Sequence, residues 1–95
     1  MTVLIDQPGW PAHDRLWSHL VSDLTLEELH EFAEKASLPS RSFDLDHYDV
    51  PAESYDSLVA AGAEPVSNRD LVRRLQASGL RVTQRERRAI PPQST

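Results

Sequence analysis

The middle of the chain gathers Asp46, His47, Tyr48, Asp49 and Val50 directly before Pro51. Four of these five side chains can carry a proton or bind an ion. Read as a strand, it sends alternate side chains to opposite faces, so His47 and Asp49 share one face while Tyr48 and Val50 share the other. An imidazole and a carboxylate two residues apart can share a hydrogen bond or a cation, and the bond would fix the histidine tautomer and raise its pKa. Tyr48, on the far side, packs rather than reacts. Pro51 has no N–H to give a ladder, so the strand is expected to stop there. The plainer alternative leaves Asp49 bonded to a neighbouring turn and His47 as half-buried packing.

Further polar residues fall at or near other expected strand ends. Asp6 closes an apolar run, and His19 and Asp23 belong to or follow a second strand. Open α/β sheets collect ligands at the carboxyl ends of their strands. Gathered along one such edge, Asp6, His19, Asp23, His47 and Asp49 could hold a divalent cation and activate water, as in phosphoester hydrolysis. Without a metal, His47 or His19 could serve as a general base held by a carboxylate such as Asp49. The chain has no glycine-rich phosphate loop, no His-Glu-x-x-His and no nucleophile elbow, so no reaction is specified. Histidine–aspartate pairs also serve as purely structural hydrogen-bond networks.

The carrying elements follow from local pattern. Thr2-Val3-Leu4-Ile5 is apolar and rich in strand formers, which predicts a buried strand ending at Asp6. Gln7 to Pro11, with two prolines and Gly9, reads as a loop. Trp10 in that loop is either a core plug or a ligand-stacking face, and a small core favours the plug. Residues 13–22 fit a helical face through Leu16, Trp17, Leu20 and Val21, or a strand with Trp17, His19 and Val21 on one side. The capped helix that follows favours a strand at about 16–21.

Thr25-Leu26-Glu27-Glu28 is a capping box, with the Thr25 hydroxyl taking an orphan amide and Glu28 reaching back. Leu29, Phe32, Ala33 and Ala36 then recur at helical spacing, and Pro39 stops the helix. Ala52 to Ala61 reads as a second helix closed by Gly62. Glu64-Pro65-Val66 suits an edge strand. Asn68 is placed to cap a third helix, with Leu71, Val72 and Leu75 inward, Arg69, Arg73 and Arg74 outward and Gly79 at its end. Leu80-Arg81-Val82 would add a last short strand. The alternation predicts a single α/β domain over residues 1–83, a mostly parallel sheet of about four short strands with about three helices and right-handed crossovers. Residues 84–95, basic and proline-rich, read as a disordered tail.

Ninety-five residues allow one modest core. With no cysteine, disulfides and thiolate metal sites are excluded. No apolar run approaches a membrane span or a secretory h-region, so the expectation is a soluble cytoplasmic protein with no membrane partner. Residues 1–68 carry three basic side chains against thirteen acidic ones, and residues 69–95 carry seven arginines against Asp70 and Glu86. The acidic body disfavours nucleic acid. The basic end supports the leading functional reading, with the enzyme as its alternative: an interaction module that meets a protein partner through Arg73, Arg74 and Arg81 and through the tail arginines 85, 87 and 88. No cofactor is specified beyond the divalent ion of the enzyme reading.

Several blocks together resemble a family. Thr2-Val3-Leu4-Ile5-Asp6, Trp17-Ser18-His19-Leu20 with Ser22-Asp23, Glu28-Leu29-His30 with Phe32-Ala33, His47-Tyr48-Asp49-Val50, and Gly62-Ala63 with Pro65-Val66 occur in order over roughly residues 2–75. They look like the small bacterial and phage proteins grouped as domain of unknown function 4031. The His-Tyr-Asp and Ser-His-Leu blocks are the specific parts. Members of that family often carry a basic or aromatic run with Trp before the His-Tyr-Asp block, whereas here Phe43-Asp44-Leu45-Asp46 is acidic, which speaks against an anion-binding role for this loop. The resemblance implies no activity. It points to Asp6, His19, Asp23, His47, Tyr48 and Asp49.

Overall fold

The computed structural model describes residues 2–82. The chain runs β1 (Val3–Asp6), β2 (Trp10–Ala12), β3 (Arg15–Ser22), α1 (Leu26–Lys35), β4 (Phe43–Asp44), β5 (His47–Pro51), α2 (Tyr55–Ala60), β6 (Glu64–Val66) and α3 (Asn68–Ser78). The strands form one sheet in the order β4-β5-β3-β1-β6, with β2 also paired to β3. The expected α/β domain with three helices is present. The sheet, however, is mixed rather than mostly parallel: β1 and β6 pair parallel, while β1–β3, β2–β3, β3–β5 and β4–β5 pair antiparallel.

Two tight hairpins cause the difference. The β2–β3 connection is the pair His13-Asp14, both at positive φ (51° and 62°), with Ala12 opposite Arg15. Two consecutive left-handed residues make the turn whose twist matches its flanking strands. That turn is usually announced by Asn-Gly or Asp-Gly; His-Asp carries no such mark. The second hairpin turns at Leu45-Asp46, with Leu45 at φ 60° and the Asp46 N–H donating to the Asp44 carbonyl at 2.6 Å. Each hairpin reverses the chain, so β3 and β4 run against β1, β2, β5 and β6. The loop expected over residues 7–11 therefore ends at Gly9, and Trp10–Ala12 is a strand. Pro11 is tolerated because β2 pairs only with β3 and leaves its outer edge open.

Register divides the sheet into two faces. Val3 opposite Ser22, Ile5 opposite Leu20, and Tyr48 and Val50 opposite Leu20 and Ser18 share the first face. It packs on Leu29 and Ala33 of α1 and Leu58 of α2 in the main core. Leu4 and Val21 lie on the second face and meet Leu71 and Leu75 of α3 in a smaller core. Burying each such aliphatic side chain contributes roughly 1.5–3 kcal/mol. The first face carries two helices. The second carries α3 over β1 and β3, and the rest of it is left to the polar and aromatic side chains described below.

The caps hold the helices in place with two adjustments. Thr25 Oγ1 accepts the Glu28 N–H at 3.0 Å as the capping box requires. Glu28 does not reach back to Thr25; its carboxylate takes the Ser22 hydroxyl at 2.5 Å, and Ser22 Oγ accepts the Leu24 and Thr25 N–H groups. Ser22 is buried at the end of β3, and its hydroxyl both needs an acceptor and is near enough to take the orphan amides. Helix α3 is capped by Ser67, whose Oγ accepts the Asp70 N–H at 3.1 Å, not by Asn68. Gly79 closes α3 at φ 83°, in the left-handed region that costs glycine nothing.

Leu80 to Val82 form no strand. Their path is fixed instead by the Val82 N–H donating to Asp46 Oδ2 at 2.8 Å. The tail expected at residues 84–95 lies outside the described residues. Among the described residues, no helix is long and apolar enough to cross a membrane.

Candidate metal centre

The second face of the sheet brings three strands' polar groups into one row. His19 is directly opposite Asp49 across β3 and β5. One step past the Ile5–Leu20 pair, Asp6 of β1 comes level with His19. His47 lies two residues before Asp49 on β5 and so on the same face, as its alternation required. The groups thus meet in the middle of a sheet face, through antiparallel register, rather than along a rim of strand ends. Parallel strand ends gather at one edge; opposed strands instead align their interiors.

Each histidine is held by a buried acid. Asp6, 2 % exposed, accepts the His19 backbone N–H through Oδ1 at 2.6 Å and meets His19 Nδ1 with Oδ2 at 2.7 Å. Its Oδ2 also accepts the Asn68 amide at 2.8 Å, so the first residue of α3 steadies this end of the row. Asp6 stands where β1 ends and β2 has not begun, and its carboxylate supplies the acceptor for the His19 amide. Burial pushes the Asp6 carboxyl up, but the His19 ring, the His19 amide and Asn68 together carry it below its ordinary value.

Asp46, fully buried, does the same for His47: its Oδ1 lies 2.6 Å from Nδ1. Asp46 also accepts the Val82 N–H and sits 3.5 Å from the Arg81 guanidinium. Burial raises its pKa, and His47, the Val82 amide and Arg81 outweigh that, leaving it lowered. For His47, burial favours the neutral ring, yet the carboxylates of Asp46 and Asp49 overcome it and raise the pKa to about 9. Asp49 Oδ1 is 3.0 Å from His47 Nε2, so the ring lies between two carboxylates.

With Nδ1 of each ring committed to a carboxylate, Nε2 is the nitrogen each can offer. One donor atom each from His19, His47 and Asp49 falls within 4.8 Å of the others, and the two imidazoles meet edge to face with centroids 5.2 Å apart. Tetrahedral zinc at about 2.0–2.2 Å from its ligands needs donors about 3.3–3.6 Å apart, and those of His47 and Asp49, at 3.0 Å, need to part by only a few tenths of an ångström. A carboxylate behind a metal-ligating imidazole fixes its tautomer and raises its basicity. A cavity of about 240 Å³ opens beside the histidines, lined also by Asn68, Leu71, Val72 and Arg81.

The remaining expected residues lie elsewhere. Asp23 accepts the Thr2 N–H at 2.8 Å and the Arg74 guanidinium at 2.7 Å, and is not among the residues that converge. Arg74 bridges Asp23 and Glu64, and Arg81 leans on Asp46, so both are engaged within the chain. Arg73 pairs with the exposed Asp70 of its own helix. Tyr48 points to the core face, where its hydroxyl meets His30 Nδ1 at 2.7 Å.

Pattern reading names Asp46 in the central stretch and Asn68 as a helix cap, but gives neither a place behind the histidines. Alternation assigns Asp46 to the face opposite His47, but the turn at Leu45 takes it out of the strand. The adjacent Asp-His pair was the available sign.

No curated protein and no solved structure matches the chain. The family model described as Protein of unknown function (DUF4031) matches residues 3–78, and the chain belongs to that family.

Proposed function

We propose that His19, His47 and Asp49 hold a divalent transition metal and that the protein is a metal-dependent hydrolase of phosphoesters. The observation that carries this reading is the pairing of each imidazole, through Nδ1, with its own buried carboxylate, while one donor atom each of His19, His47 and Asp49 lies within 4.8 Å of the others. Two imidazoles and one carboxylate suit zinc and its first-row neighbours better than magnesium or calcium. A bound ion would lower the pKa of a water molecule and polarise a phosphoryl oxygen. Asp6 and Asp46 would keep the rings aimed.

The interaction-module reading has less behind it. Of its three named arginines, Arg74 and Arg81 are engaged internally, and Arg73 is left as the exposed one.

The test is a titration with zinc and with manganese, followed by calorimetry and thermal melting. The wild type is expected to bind one ion, and its Tm to rise by roughly 10 °C at a hundredfold excess over Kd. Asp49→Asn should abolish the shift and lower the metal-free Tm only in part, since Asp46 still holds the His47 proton. Hydrolysis of bis(p-nitrophenyl) phosphate should require the ion and should fall with Asp49→Asn. A wild type that binds neither ion would overturn the reading.

A further inference from the structure

Beside the metal site the same sheet face carries an aromatic slot. Trp10 stacks on Trp17, with centroids 6.0 Å apart and planes 25° apart, and on His19 at 5.4 Å and 20°. Three rings from β2 and β3 therefore lie near parallel, and the last is a candidate metal ligand. A cavity of about 330 Å³ opens against the two tryptophans, lined also by Ala12, His13, Arg41, Ser42 and Asp49. Asp49 thus faces the slot and also belongs to the triad.

Two features of the slot are unspent. The Trp17 indole N–H donates to the Ala12 carbonyl at 2.9 Å. The Trp10 indole N–H is shielded from water and has no acceptor among the described residues, although buried donors are nearly always paired. Arg41 is exposed on the short turn before β4, and none of the ion pairs among the described residues includes it.

We propose that this slot binds the base of a nucleotide, with its phosphate between Arg41 and the Asp49 end. The cavity has the size of a small-ligand site, and flat apolar walls with few convergent polar groups suit a planar ring. A heterocycle stacks through its faces, which the Trp10 and Trp17 rings on the wall offer. A sugar would need several hydroxyl partners, and Ser42 and His13 are too few. The phosphate would lie beside the carboxylate of Asp49, a repulsion that a cation in the triad would remove, so this part rests on the metal reading while the stacking part does not.

The chain has two tryptophans, both in the slot, so intrinsic fluorescence reports its occupancy directly. Titrations use adenosine, AMP, ribose 5-phosphate and glucose, with and without zinc, at millimolar concentrations. Adenosine and AMP are expected to quench saturably, and AMP to bind more tightly with zinc present. Ribose 5-phosphate and glucose should leave the emission unchanged. Trp10→Leu should weaken AMP about tenfold. Arg41→Ala, at an exposed position that does not threaten folding, should weaken AMP and spare adenosine. Zinc binding without quenching by adenosine or AMP would overturn the slot and leave the metal reading intact. Quenching by adenosine with no response to zinc would keep the base site and sink the metal reading. Equal quenching by ribose 5-phosphate or glucose would also overturn the proposal.

Discussion

The ion-paired His47 makes a definite demand on how stability varies with pH. In the unfolded chain the imidazole titrates near 6.5; in the native protein the flanking carboxylates hold it protonated to about pH 9. Below pH 6.5 both states carry the proton, and the native contacts contribute in full. Between 6.5 and 9 the unfolded state binds fewer protons than the native one, so stability falls as pH rises. At about 1.4 kcal/mol for each pH unit, the interval amounts to about 3 kcal/mol. The ring is mostly buried, so solvent takes little of this away, and the lowered pKa of Asp46 expresses the same contact and is not added to it. For a domain of this size, about 3 kcal/mol corresponds to a Tm lower by roughly 15 °C at pH 9.5 than at pH 6. Urea denaturation in chelator across that range measures the slope. His47→Gln should be less stable at pH 6 and nearly flat across the range. A wild-type profile without slope, or one whose slope survives in His47→Gln, would refute the assignment of this proton to His47.

Three further outcomes follow. Zinc affinity should change with pH in the opposite sense to stability, rising about tenfold for each unit between pH 6.5 and 9, because the ion must displace the His47 proton; calorimetry at three pH values would detect a flat response, which would exclude His47 as a ligand. Asp6→Ala leaves the His19 amide and the Asn68 side chain without their acceptor and should cost roughly 3 kcal/mol in chemical denaturation, whereas a cost near zero would mean that the row is not held from behind. Ser18→Ala should be neutral or stabilising by up to about 1 kcal/mol, since the Ser18 hydroxyl is buried on the core face without a partner among the described residues; a clear loss of stability would reveal a bond it does make.

Local chemistry is enough to recognise most of the elements. Thr25 announces α1, Gly79 ends α3, and the alternation from His47 to Val50 puts the imidazole and Asp49 on one face, because side-chain direction along a strand is a property of neighbouring residues. The same logic chose a strand over a helix for residues 16–21. It had no hold on strand direction. The turns at His13-Asp14 and Leu45-Asp46 lack the glycine that marks such hairpins, and without them a βαβ alternation implies parallel pairing.

The candidate site divides along the same line. That His47 and Asp49 cooperate is written within five residues. That His19 joins them, that Asp6 and Asp46 support the two rings and that Asp23 goes to Arg74 instead depend on which strands are neighbours and in what register. Those choices are made by burial of Leu4, Ile5, Leu20 and Val21 across distant segments. A one-residue slip of β3 would turn His19 into the apolar core and expose Leu20, so the packing that excludes water from the core also sets where the imidazoles meet.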